Sequence, residues 1–143
     1  MRRKSAVLGA LLAVITAVFA GTSSIAVAKA TPTVTMAAQQ VGGNSAQCQV
    51  KLTYTWSGFG VSSVDAHLGT GGLGTNYTFS VLLTNQPKDG SATVTFTVPG
   101  LDTNGDSVVY SSLGELIKVN NKGVEISPVG NSLAYAPYFS CSG

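Results

Sequence analysis

Cys48-Gln49-Val50-Lys51-Leu52-Thr53-Tyr54-Thr55-Trp56 is the stretch on which the fold turns. Its even positions are Cys, Val, Leu, Tyr and Trp and its odd positions are Gln, Lys, Thr and Thr, the period-two alternation of a strand with one buried face. It holds the only tryptophan and the first of two cysteines. The second, Cys141, lies two residues from the end of the chain, so a bond between them would close nearly the whole domain into one loop.

Whether that bond forms depends on the compartment. Met1-Arg2-Arg3-Lys4 and the apolar run Ala6 to Ala20 have the charged and hydrophobic regions of a bacterial-looking signal peptide. The run is too short to span a membrane. Small residues allow cleavage after Ala28 or Ala30, so residues 1–30 read as a signal peptide and residues 31–143 as one mature domain, secreted and extracellular. Outside the cytoplasm, two cysteines favour a disulfide over two free thiols. No cysteine follows the apolar run to carry a lipid and no later run reaches spanning length, so no membrane insertion is expected after processing.

Cleavage after Ala30 removes Arg2, Arg3, Lys4 and Lys29, half of the eight basic residues. Four lysines then face six acids, a net charge of −2, with no arginine left. Such a domain has no electrostatic footprint for a nucleic acid or an anionic membrane, and neither is expected as a partner.

The rest of the chain reads as short strands between turns. Thr31 to Met36 alternates threonine with larger residues and carries Pro32 near its start, as an edge strand tolerates; Gln39 to Ser45 reads as a loop. Val64, Ala66 and Leu68 mark a short inward face interleaved with Asp65 and His67. Gly69 to Thr75 is glycine-rich, but it lacks the following helix and lysine of a phosphate cradle and reads as a flexible loop. Tyr77, Phe79, Val81 and Leu83 face one way along the next strand. Ser91 to Val98 alternates Ser or Thr with Ala, Val and Phe and stops at Pro99-Gly100. Its row of Thr93, Thr95 and Thr97 resembles the spaced hydroxyls of ice-binding surfaces, which need stacked copies; a solvated strand face accounts for a single row. Ser107 to Leu113 forms a further run. Leu116 to Val119 and Val124 to Ile126 flank a hairpin turn at Asn120 to Gly123, and Leu133 to Cys141, broken by Pro137, reads as an edge strand. No ten-residue run has helical spacing, so the fold class is all-β, a sandwich or barrel of seven to eight strands.

Val98-Pro99-Gly100-Leu101, followed by Asp106 and Tyr110, resembles the corner of immunoglobulin-like and fibronectin type III-like domains, in which a tyrosine braces the turn between two strands. Trp56 on an early strand fits the same pattern. The resemblance is to the superfamily and implies an immunoglobulin-like β-sandwich. Two departures matter: the second cysteine of antibody-type domains would fall at Ser112, whereas this chain has Cys141, so the expected disulfide Cys48–Cys141 is not the immunoglobulin one, and the hairpin through Val119 and Val124 adds a strand beyond the basic seven, which leaves a variant topology or a different sandwich open.

No constellation reaches a specific chemistry. His67 and Asp65 would share one exposed polar face, but no Gly-x-Ser-x-Gly elbow presents a nucleophile, and the chain is read as no enzyme. Asp102, Asn104 and Asp106 have the first three ligand spacings of a calcium loop. The glycine and acid that should follow are Ser107 and Leu113, so a turn is expected rather than a metal site. One histidine and two paired cysteines leave no zinc set, and no cofactor is expected. Asn76-Tyr77-Thr78 matches a glycosylation acceptor, read as chance beside a bacterial leader. Tyr135, Tyr138 and Phe139 form a candidate contact patch, with edge-strand packing as the alternative. The expected function is a non-catalytic binding or structural surface module for a protein, glycan or small ligand at the cell exterior. The alternatives are a carrier or protease inhibitor using an inter-sheet cleft or end loops, and then a secreted hydrolase.

Overall fold

The computed structural model describes residues 31–61 and 63–143; the signal-peptide reading of residues 1–30 lies outside them. Eight strands follow in chain order: β1 Thr33–Gly43, β2 Gln47–Ser57, β3 Val64–Gly72, β4 Thr78–Gln86, β5 Gly90–Pro99, β6 Tyr110–Val119, β7 Glu125–Pro128 and β8 Ala134–Tyr135. They form two antiparallel sheets, β1-β2-β5 and β4-β3-β6-β7, with β8 also paired to β6. The sheets pack face to face as a β-sandwich. Among the described residues no helix is long and apolar enough to cross a membrane.

β2 is the central strand of its sheet, and its alternation is realised in full. Cys48, Val50, Leu52, Tyr54 and Trp56 are buried, facing Val64, Ala66, Leu68, Tyr110 and Leu116 from the other sheet. Tyr54 stacks on Trp56 and reaches across the core, where its Oη donates to the Ser132 carbonyl. Ser132 Oγ in turn accepts the Leu116 N–H and donates to the Val129 carbonyl, so every buried polar group in this bridge is used. Gly114 of β6 lies under the Tyr54 ring: a Cβ there would stand 2.5 Å from Tyr54 Cδ2.

Cys48 and Cys141 are bonded, with their Cα atoms 5.6 Å apart and 93 residues between them in sequence. The last residues therefore form a strap. Phe139 bridges to Tyr110 and stacks on its ring with centroids 5.2 Å apart, while Ser142 exchanges hydrogen bonds with the Gln40 side chain. Tyr110 Oη donates to the Pro99 carbonyl at 2.6 Å and braces the corner between β5 and β6.

Four sequence expectations change. Gln39 to Gly43 is not loop: β1 continues along β2 through a bulge between Gln40 and Gly42, because the pairing with β2 supplies backbone partners that outweigh glycine's poor strand propensity. Gly69 to Gly72 is likewise strand, held between β4 and β6. The runs Ser107–Leu113 and Leu116–Val119 become one strand, β6, which begins only at Tyr110. The final run contributes just β8 and one bridge, since Pro137 removes a donor and the strap must turn toward Cys48. The Asn120–Gly123 turn is as expected: Asn120 Oδ1 accepts the Lys122 and Val124 N–H groups, and Gly123 takes a φ of 75°.

Candidate binding face

The second sheet has one face on the core and one outside. On β3, Val64, Ala66 and Leu68 point inward, so His67, Gly69 and Gly71 alternate onto the outer face. Register carries this row sideways: Gly69 sits between Ser80 of β4 and Leu113 of β6, and Gly71 between Thr78 and Ser111. Tyr135 of β8 pairs with Leu113 and extends the first row. The two glycines, lacking side chains, leave a groove of about 470 Å³ between the flanking rows, closed at one end by Leu73 and Tyr77 and at the other by His67. A second hollow of about 640 Å³ adjoins it at Ser111 and is walled by Tyr135, Pro137 and Tyr138.

The two glycines differ in what the fold demands of them. A Cβ at Gly69 would stand 3.2 Å from the Phe79 carbonyl oxygen, tight enough to press on β4. A Cβ at Gly71 would meet only the Tyr77 carbonyl oxygen at 3.6 Å, an ordinary contact. Glycine inside a strand weakens it and marks a bulge or the close approach of a ligand or another backbone. Gly71 lies in unbroken register with both neighbours, so packing among the described residues gives no reason for its missing side chain.

At the groove's end, His67 Nδ1 lies 3.4 Å from Glu115 Oε1, its cross-strand partner on β6. Asp65, expected beside His67 on an exposed polar face, is buried instead. Its Oδ1 accepts the Asn85 N–H, serving the bulge where β4 leaves register with β3. A histidine held at Nδ1 by a carboxylate can orient as a general base, but among the described residues no hydroxyl is hydrogen bonded to the ring. What the pair offers in place is a polar anchor at one end of an otherwise apolar and hydroxyl-lined trough.

The other candidates separate cleanly. Tyr135 and Tyr138 are 62% and 68% exposed and border the second hollow, whereas Phe139 is turned inward against Tyr110. Asp102 Oδ1 accepts the N–H groups of Asn104 and Asp106, so this carboxylate holds its own turn. Asn76 is exposed in the turn before β4 and borders a small cleft with Asp102 and Asn104. The groove itself was not legible beforehand. Its signal was Gly69-Thr70-Gly71-Gly72, whose odd positions share a face once the run is a strand. No protein-family model, curated protein or solved structure matches the chain.

Proposed function

We propose that the chain is a non-catalytic, exported binding module that takes its ligand across the outer face of the β4-β3-β6 sheet. The observation that carries this is Gly71, a mid-strand glycine with room for a side chain, flooring a groove between Thr78 and Ser111. Glycine there costs about 0.5–1 kcal/mol relative to alanine, a cost that a ligand-contacting floor would justify. The lining suits a ring with hydroxyl or other polar edges: Leu113 and the exposed Tyr135 offer apolar faces, Thr78, Ser80 and Ser111 offer hydroxyls, and the His67–Glu115 pair offers a polar end. The filled interior favours this face over an inter-sheet carrier site, since Leu52, Tyr54, Trp56, Leu68 and Leu116 are at most 1% exposed.

The test is to screen the purified protein against an oligosaccharide array and a panel of small aromatic compounds, alongside Gly71→Leu. Leucine would fill the trough while leaving both sheets intact. Binding by the wild type that Gly71→Leu reduces at least tenfold, with an undiminished melting temperature, supports the outer face. Binding indifferent to Gly71→Leu places the ligand elsewhere and overturns it.

A further inference from the structure

We infer that the chain pairs with a second copy of itself through β5, forming a two-fold dimer whose first sheets join edge to edge. A sandwich of two open sheets has four edge strands, and an unblunted edge is a template for another strand. Three of the four edges here are blunted. β1 carries the bulge at Gln40–Gly42, and the C-terminal strap is bonded to its Gln40 side chain. β4 leaves register opposite Asp65, with Asn85 at a φ of 55°. The remaining edge is made of two short pieces along β6, β7 with four residues beginning at Glu125 and β8 with two.

β5 ends at a proline, Pro99, but along its length it is neither short nor bulged and carries no charge. It runs ten residues in unbroken register with β2, and Ser91 to Val98 contains no charge and no proline. Such an uncharged, β-prone segment is the kind that pairs readily. The side of the sandwich beyond it is also unsealed. Val94 and Phe96 are only half-buried where their β2 partners Leu52 and Val50 are fully buried, and Phe79 of β4, also half-buried, lies against Phe96 at the same margin.

The chemistry selects a second copy as the occupant. In an antiparallel pair centred on Thr95, each copy's Thr93 faces Thr97 of the other and Val94 faces Phe96. Hydroxyls therefore meet hydroxyls on the outer face and apolar groups meet on the inner one, with no like charges opposed. Each copy would cover the other's half-buried Val94 and Phe96.

Sedimentation equilibrium of the purified, disulfide-bonded protein tests this, with Thr95→Lys and Thr35→Lys as variants. Both threonines are exposed, the first on β5 and the second on β1. The expected result is a concentration-dependent dimer. Thr95→Lys, which opposes two lysines across the two-fold axis, raises its Kd about tenfold or more, while Thr35→Lys leaves it unchanged. A wild type that stays monomeric overturns the inference, including one whose β5 amides respond only to an added extended peptide. So does a dimer indifferent to Thr95→Lys.

Discussion

Two glycines on adjacent strands show how differently one residue type can be used. At Gly114 the ring of Tyr54 occupies the space a Cβ would need, so Gly114→Ala overpacks the core and should cost about 1–3 kcal/mol, read as a lowered melting temperature. At Gly71 the same substitution meets no such obstacle and, by removing glycine's cost of about 0.5–1 kcal/mol, should raise the melting temperature by about 2–5 °C. Two of the five tyrosines are also set apart. Burial pushes the Tyr54 phenol up to about 12, with the Glu115 charge adding to the effect, and burial does the same for Tyr110, to about 12, helped by Tyr77. A phenol whose pKa is raised on folding contributes stability that is complete below about pH 10 and is lost as the pH climbs through 12. Alkaline titration followed at 295 nm should therefore show two tyrosines ionising late, together with loss of near-ultraviolet circular dichroism. Full ionisation of all five by pH 11 with the fold intact would contradict this.

Among the elements, those with strict alternation were readable from residues alone. β2 and β5 each have one buried and one solvated face, and a register slip would have exposed Trp56 or buried a threonine row. The glycine-rich ends of β1 and β3 were not readable, because their pairing partners, distant in sequence, decide their conformation against local propensity. Asp65 was misplaced for a related reason: strand alternation assigns a face, but only the bulge in β4 brings the Asn85 amide to cover it. The strap was foreseen as a bond and not as a shape. Constraining a loop of 93 residues, the disulfide should contribute about 4 to 5 kcal/mol on the chain-entropy account, and Cys48→Ser/Cys141→Ser should lower the unfolding free energy by about that much in a urea titration. A loss below about 1 kcal/mol would mean that Phe139 and Ser142 hold the strap without it.

Across the described residues, the division of labour is between a filled core and an open outer face. Tyr54, Ser132, Gly114 and the disulfide fix the two sheets to each other, and the row Ser80–Gly69–Leu113–Tyr135 presents a trough that none of the described residues fills. Composition led to the expectation of neither a nucleic acid nor an anionic membrane as partner, yet it could not point to this face, because a groove made by missing side chains has no motif. The most direct measurement is a map of backbone amide shifts in the nitrogen-15-labelled protein, titrated with the oligosaccharides and aromatic compounds that bind it. A binding face on the second sheet predicts shifts concentrated at Gly69, Gly71, Ser80, Ser111 and Leu113, with β2 undisturbed. Shifts confined to β2 and β5, or to the Asp102–Asp106 turn, would contradict it.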